Sequence, residues 1–191
     1  MHIERTTYLS LGSNLDDRLE NLQNSVDMIG EKIGRIEKIS SVYETASWGF
    51  KSEKFLNCCI RVITPNSPED LLKKIHYIEE HLGRFRDEEI GYQNRTIDID
   101  ILLFDQEIVF TKELTIPHKD MLLRKFVLVP LAEIAPNFIH PIEKQRLQVC
   151  LSNCKDKNGI EKTYDKLVRP VSITEKYNYI AIEGNIGAGK T

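Results

Sequence analysis

The chain has 191 residues, of which 41% are hydrophobic and 29% are charged. This length and composition are typical of one soluble globular domain of roughly 150 to 170 residues with a tail. The net charge of -3 gives no basis for non-specific nucleic-acid binding, which generally needs a basic surface. No apolar run reaches the ~18 to 20 residues of a membrane span, and the first residues lack the apolar core of a signal peptide. We therefore expect a cytoplasmic protein without nucleic-acid or membrane partners.

The predicted elements follow one another as strand, helix, strand, strand, helix, strand and two further helices. In chain order they are residues 6–11, 15–33, 35–44, 55–64, 68–82, 96–104, 126–135 and 147–153. The strands are runs of β-forming residues, and the helices show apolar residues at helical spacing. Gly12-Ser13-Asn14 is a turn sequence, Ser67-Pro68 is typical of a helix start, and Gly83 is a stop signal. This order predicts an α+β fold with a ferredoxin-like β-α-β-β-α-β core and helical additions at the C-terminal side.

The four cysteines match neither a zinc ribbon nor a small disulfide scaffold; they are Cys58, Cys59, Cys150 and Cys154. We expect free thiols. Because neighbouring residues of a strand face opposite sides, we expect one of Cys58 and Cys59 to point into the core.

The end of the chain carries a complete phosphate-loop pattern, G-x-x-x-x-G-K-[ST], after a predicted strand. Its defining residues are Gly184, Gly189, Lys190 and Thr191. The segment resembles the opening of a deoxynucleoside kinase. A working phosphate loop needs the helix that follows it, and that helix would lie beyond the last residue. We therefore expect a truncated second domain that catalyses nothing in this chain, and the alternative is a chance match in a disordered tail.

Composition divides the chain into three parts. Residues 1–160 contain the predicted elements of the main domain. Residues 161–178 are polar, lack periodicity and predict a linker. Residues 179–191 are the truncated phosphate-loop start, so a longer natural protein is expected to carry a fused kinase domain.

Asp98 and Asp100 are the strongest functional signal. They alternate with Ile97, Ile99 and Ile101 in a predicted strand, so the two carboxylates point to one side, roughly 6.5 to 7 Å apart along the chain. Neighbouring carboxylates repel unless a cation lies between them, and magnesium takes one or two such ligands together with water and substrate phosphates. The alternative is an exposed strand face that arginines neutralise.

Basic residues surround the acidic pair in the sequence. They are Arg84, Arg86, Arg95, His118, Lys119 and Arg124. Arginine binds phosphate oxygens bidentately and stays charged at physiological pH. Together the two sets of residues predict a metal–polyphosphate site, although the arginines after Gly83 could be solvated loop charges and His118 a capped loop histidine.

Three ordered motifs give a specific resemblance. R-T-I-D-I-D-I-L-L-F, L-T-I-P-H-K-D-M and P-L-A-E-I-A-P resemble the 6-hydroxymethyl-7,8-dihydropterin pyrophosphokinase family of the folate pathway. The likeness runs from about Thr7 to about Ile142. It implies a ferredoxin-like core, two magnesium ions, and transfer of pyrophosphate from MgATP to the pterin with release of AMP.

The resemblance also implies roles for single residues. The catalytic residues would be Arg84, Arg86, Arg95, Asp98 and Asp100, of which the two aspartates hold the metals. ATP would be bound by His76, Glu79, Thr115, His118 and Arg124. The pterin would be bound by Thr45, Phe55, Asn57 and Phe126, since a flat bicyclic ring fits between two aromatic walls with in-plane hydrogen-bond partners. Simple core packing is the alternative for each phenylalanine.

Two other functions are compatible with parts of the sequence. The phosphate loop could mark the main activity, that of a nucleoside kinase, but the missing helix argues against this for the present chain. The domain could also be a non-enzymatic sensor that binds ATP or pterin. The aspartate pair with its arginines argues against a sensor, which has little need of two metals.

Overall fold

The computed structural model describes residues 4–46, 53–83 and 95–171. The predicted roles of Arg84 and Arg86 and the phosphate loop of residues 184–191 lie outside these ranges. Within them the strands are β1 Arg5–Ser13, β2 Arg35–Ile39, β3 Tyr43–Thr45, β4 Phe55–Thr64, β5 Asp98–Phe104, β6 Val109–Phe110, β7 Thr115–Ile116 and β8 Ile160–Lys162. The α-helices are α1 Arg18–Lys32, α2 Pro68–His81, α3 Lys125–Ile134 and α4 Leu147–Ser152.

The strand pairs of the main sheet are antiparallel. Its strands lie in the order β5-β1-β4-β3-β8, and β2 also pairs with β4. Strand β1 pairs with β4 on one side and with β5 on the other. A separate hairpin is formed by β6 and β7. The predicted α+β class is therefore confirmed.

Helices cover both faces of the sheet. On one face, α1 and α2 pack against Leu9, Leu11 and Ile60. On the other, α3 packs against Tyr8 and Cys59. Burial of apolar side chains on both faces gives the domain two layers of core around one sheet.

All four cysteines are free, as predicted, but the expectation that one of Cys58 and Cys59 faces the core was too narrow. Both are fully buried, because helices lie on both sides of β4. Burial raises the pKa of the Cys58 thiol to about 12, so this thiol stays protonated and is neither a nucleophile nor a metal ligand.

Strand β5 begins two residues later than predicted, and two other predicted strands differ more from the structure. Strand β1 continues through Gly12 to Ser13, because Gly12 is paired with Asn57 on one side and Asp98 on the other. The predicted strand of residues 35–44 is divided into β2 and β3, which both pair with β4. In each case pairing with neighbours, which local sequence does not contain, decides where the strand ends.

The C-terminal residues in the described ranges are packed against the domain. Strand β8 pairs with β3. Farther along, the Gln23 side chain of α1 exchanges two hydrogen bonds with the backbone of Val168, at 2.8 and 3.0 Å. Leu167 packs against the core. The polar sequence of residues 163–171 thus lies along α1, and we call this segment the strap.

No α-helix in the described ranges is both long enough and apolar enough to cross a membrane.

Candidate active site

The aspartate pair lies on edge strand β5. Asp98 and Asp100 are half-buried, while Ile97, Ile99 and Ile101 are buried. The alternation that the sequence predicts is therefore present, and both carboxylates are on the face of the sheet that α3 partly covers. The register places Asp98 beside Gly12 and Asp100 beside Ser10 of β1.

Arg95 is fixed next to this pair. Its guanidinium Nη1 donates to Asp98 Oδ2 at 2.5 Å. Its backbone N–H donates to the Asn14 side chain at 2.7 Å, and the Asn14 N–H donates to the Arg95 carbonyl at 3.1 Å. Asn14 is buried, so this reciprocal pair fixes where the arginine enters the site. Sequence reasoning identified Asn14 only as a turn residue.

Glu79 of α2 reaches the same strand from the side. Its side chain is 1% exposed, and Oε1 accepts a hydrogen bond from the backbone N–H of Ile99 at 2.9 Å. Ile99 lies between the two aspartates. An edge strand leaves every second backbone N–H without a partner strand, and Glu79 satisfies the one at the centre of the candidate site.

His118 stands over Asp100. Its backbone N–H donates to the Leu102 carbonyl of β5 at 2.9 Å, and its Nδ1 accepts from the backbone N–H of Asp120 at 3.3 Å. The neutral ring then carries its proton on Nε2, which is 3.9 Å from Asp100 Oδ1. Burial first, and Arg124 second, lower the pKa of His118. The histidine is thus a neutral donor at physiological pH.

Arg124 is held by an acid and an aromatic ring. Its Nη2 lies 2.9 Å from Asp120 Oδ2, and its guanidinium carbon lies 5.9 Å from the centre of the Phe126 ring, within the range of a cation–π contact. Its buried Nε has no hydrogen-bond partner within the described residues. Asp120 and Phe126 therefore fix the position of the guanidinium.

The residues present fit magnesium better than zinc. Among the described residues, no cluster of three or more histidine, cysteine or acidic side chains could hold a metal ion. Zinc needs three or four such ligands. Magnesium is commonly held by one or two carboxylates while water and phosphates complete its shell, which is what Asp98 and Asp100 provide.

The four residues predicted to bind the pterin lie on neighbouring elements. Asn57 Nδ2 donates to Thr45 Oγ1 at 2.9 Å, and both residues are buried. Phe55 is the strand partner of Thr45. Phe126, on the first turn of α3, lines an open cleft together with Thr45. The structure therefore brings the predicted set together at one end of the sheet.

Gly12 separates this set from the aspartates. It is paired with Asp98 on one side and Asn57 on the other, so the Cα atoms of those two residues lie roughly 10 Å apart, two strand spacings. A Cβ at Gly12 would come within 3.1 Å of Asn57 Oδ1 and 3.6 Å of the Phe55 ring. Because Gly12 has no side chain, the sheet surface between Asp98 and Asn57 is open, and a flat ligand can lie across it from one of these residues to the other.

The other residues predicted for the nucleotide side lie on elements next to β5 or outside the described ranges. His76 lies one turn before Glu79 on α2 and is half-buried. Thr115 begins β7, which lies against β5. Arg84 and Arg86 follow Gly83, whose φ of 89° ends the α2 segment, and they are outside the described ranges.

Comparison with known proteins gives consistent matches. The sequence profile of the family described as 7,8-dihydro-6-hydroxymethylpterin-pyrophosphokinase (HPPK) matches residues 8–136. The 2-amino-4-hydroxy-6-hydroxymethyldihydropteridine pyrophosphokinase of Aquifex aeolicus is 42% identical over 144 residues, which is 75% of this chain and 88% of that protein. The enzyme of the same name from Bacillus subtilis is 41% identical over 129 residues, 66% of this chain and 76% of that protein.

Longer proteins also match. The folic acid synthesis protein FOL1 of Dictyostelium discoideum is 42% identical over 150 residues, 76% of this chain but 22% of that protein. A crystal structure of a wild-type Plasmodium falciparum HPPK-DHPS with pteroate superposes with a TM-score of 0.68 at 16% identity, covering 79% of this chain and 44% of that one. This chain therefore spans less than half of that solved chain, and the superposition supports the fold alone. The family profile matches residues 8–136, and this chain covers 88% and 76% of the enzymes from Aquifex aeolicus and Bacillus subtilis. These matches show that the chain belongs to the HPPK family.

Proposed function

We propose that the chain transfers pyrophosphate from ATP to 6-hydroxymethyl-7,8-dihydropterin, a reaction of folate biosynthesis. The observation that carries this proposal is the single row Asp98, Gly12 and Asn57 across three paired strands. A carboxylate suited to magnesium and an amide suited to the edge of a ring lie at its two ends, with no side chain on Gly12 between them. This arrangement occurs in a member of the HPPK family.

The transfer joins the pterin hydroxymethyl oxygen to the β-phosphorus and releases the hydroxyl proton. It breaks the bond from that phosphorus to the oxygen bridging to the α-phosphorus, and AMP leaves with this oxygen. The protein's part is alignment and charge neutralisation. Arg95, held by Asn14 and Asp98, supplies fixed positive charge where negative charge is transferred. His118, neutral with its proton on Nε2, is a hydrogen-bond donor to a phosphate oxygen.

Asp98 and Asp100 would hold magnesium, and we propose two ions there. Bound magnesium supplies neutralisation of the phosphate oxygens. His76, Glu79, Thr115, Arg124, Arg84 and Arg86 remain predictions for the nucleotide side, and Thr45, Phe55, Asn57 and Phe126 for the pterin side.

The finer fold and domain assignments are proposals too. The four longest strands, with β2 and β3 together taken as the second, lie in the order fourth, first, third, second, which supports a ferredoxin-like core. We propose that residues 179–191 begin a deoxynucleoside kinase domain fused to the main domain of residues 1–160, with 161–178 as the connection. The phosphate-loop pattern supports this, while the two relatives of matching length carry only the pyrophosphokinase name.

The proposal is tested by the nucleotide that is released. The chain is incubated with ATP, magnesium and 6-hydroxymethyl-7,8-dihydropterin, and the adenine nucleotides are separated. We expect AMP, and only when pterin and magnesium are both present. Asp98→Asn keeps the shape and removes the charge, and should lower the rate by at least about 10².

Asp165→Asn is the matched control, because Asp165 is an exposed aspartate of the strap, and it should release AMP at the wild-type rate. Release of ADP would contradict pyrophosphoryl transfer. Wild-type turnover by the Asp98→Asn variant would contradict the metal assignment while leaving the reaction itself in place.

A further inference from the structure

The cleft beside the predicted pterin residues has a wall that the sequence did not assign. It is a small cleft that is open to solvent. Thr45 and Phe126 line one part of it, and the turn before β8 lines another, through Asp156, Asn158 and Gly159. Nothing in the motifs of the family resemblance extends this far along the chain.

This turn is held in place by strand pairing. Strand β8 extends the main sheet next to β3, and Ile160 is the partner of Thr45. The turn therefore arrives directly beside a residue predicted to bind the pterin. Because β8 is the last strand of the sheet at that side, the turn lies at the edge of the sheet.

A single carboxylate joins the turn to helix α3. Asp156 Oδ2 accepts from the backbone N–H of Lys125, the first residue of α3, at 2.9 Å. The preceding residue, Arg124, makes no side-chain hydrogen bond to the helix start, so the cap comes from 31 residues away. Asp156 Oδ1 also accepts from the Asn158 N–H at 2.9 Å. Negative charge at a helix N-terminus is favourable, and Phe126 is the next residue of that helix.

We propose that the turn of residues 156–159 completes the pterin pocket of this enzyme. Asp156 is a positioning residue that fixes the first turn of α3, and through it the Phe126 ring, against the sheet. Asn158 is exposed on the cleft and contacts the pterin, because its amide can both donate to and accept from the edge of a heteroaromatic ring. The inference rests on the proposed function, and the ligand concerned is the pterin rather than ATP.

The test separates the two substrates. AMP release is measured while pterin and ATP are varied in turn, for the wild type, Asp156→Ala and Asn158→Ala. We expect the KM for the pterin to rise about tenfold in Asp156→Ala and about threefold in Asn158→Ala, as for the loss of a charged and of a neutral hydrogen bond. In Asn158→Ala, the KM for ATP should stay within about twofold of the wild type. Asp165→Ala, in the same part of the chain but outside the cleft, should change neither constant.

Three results have distinct meanings. If both variants keep the wild-type KM for the pterin while Asp156→Ala melts at a lower temperature, Asp156 is only a helix cap and the inference is overturned. If Asp156→Ala does not fold, Asn158→Ala decides, because its side chain is exposed. If the wild type releases no AMP, the proposed function fails and the inference fails with it.

Discussion

Glu79 is a buried carboxylate with a backbone partner at the centre of the site. The resemblance assigned it to the nucleotide, whereas its Oε1 accepts the N–H of Ile99 between the two aspartates. Glu79 also lies two residues before the end of α2, so it links the helix that precedes the two arginines to the strand that carries the acids. A glutamate that acts through this contact needs an acceptor oxygen more than it needs a charge.

Substitution of Glu79 distinguishes the two roles. Glu79→Ala leaves the Ile99 N–H buried without an acceptor, which costs about 1–3 kcal/mol of stability, and it should raise the magnesium concentration needed for half-maximal AMP release. Glu79→Gln keeps a carbonyl oxygen and should restore most of both. The measurements are urea unfolding and magnesium titration of AMP release.

The two variants are controls for each other, because they differ in the acceptor and share the loss of charge. If Glu79→Gln is as impaired as Glu79→Ala, the charge itself is needed and direct contact with nucleotide or metal is the better account. If neither variant differs from the wild type, the contact with Ile99 does not position the site.

At the scale of elements, the strap packs closely against α1 at a glycine of the helix. Gly30 lies in α1, where glycine is normally destabilising by about 0.5–1 kcal/mol relative to alanine. A Cβ at this position would come within 2.6 Å of the Pro170 ring. Arg169 also donates from Nη1 to the Ile36 carbonyl at 3.2 Å. Glycine at position 30 lowers the intrinsic stability of the helix, but it leaves space for the Pro170 ring of the strap to pack against α1.

The sign of a glycine-to-alanine change should therefore depend on residue 170. Gly30→Ala alone should destabilise the chain, since overpacking costs about 1–3 kcal/mol and exceeds the gain in helix propensity. In a Pro170→Ala background the same change should stabilise by about 0.5–1 kcal/mol. A thermal-melt double-mutant cycle measures both, and a higher melting temperature for Gly30→Ala with Pro170 present would mean that the strap is not held against α1.

The same elements separate what sequence predicts from what it does not. Helices α1, α2 and α3 and strands β1, β4 and β5 each bury an apolar stripe, and periodicity alone locates them to within a few residues. Strand β8 has no such stripe, since its residues are half-buried or exposed. It forms because β3 has an edge with which it can pair. The residues of β8 carry no information about that edge, so the segment alone does not predict the strand.

The candidate site divides in the same way. Asp98 and Asp100 are predicted from alternation along one strand, which is a local property. The Asn14 pair with Arg95, the Asp156 cap on α3 and the Glu79 contact with Ile99 join residues between 20 and 81 positions apart. Only the register of the sheet and the packing of helices bring such groups together, so spacing in the sequence could not predict them.

At the scale of the whole molecule, one sheet serves two purposes. Its α1 and α2 face is closed and apolar. Its other face is covered by α3 around Tyr8 and Cys59 and carries the two aspartates and the residues predicted to bind the pterin. Apolar side chains are buried on both faces, so a group buried with them that titrates in mild acid should make the fold sensitive to pH.

His140 is such a group, in the loop that packs beyond α3. It is 3% exposed, and its Nδ1 accepts from the N–H groups of Ile142 and Glu143 at 3.3 and 3.1 Å. Burial lowers the pKa of His140, and Glu143 opposes this. Protonation would place a hydrogen on the atom that accepts both bonds, so the folded state favours the neutral ring.

The domain should therefore lose stability in mild acid partly through His140. A histidine whose folded pKa is depressed stabilises fully above its unfolded value of about 6.5, and that contribution falls as pH drops from there through the folded pKa, by at most about 1.4 kcal/mol per pH unit. His140→Asn keeps an acceptor oxygen where Nδ1 stands and removes the titration. In urea unfolding between pH 7.5 and 5, we expect the wild type to lose more stability than the variant. His118, whose pKa is also lowered, is present in both proteins, so the difference between their slopes belongs to His140. Equal slopes would show that the proton is taken up elsewhere.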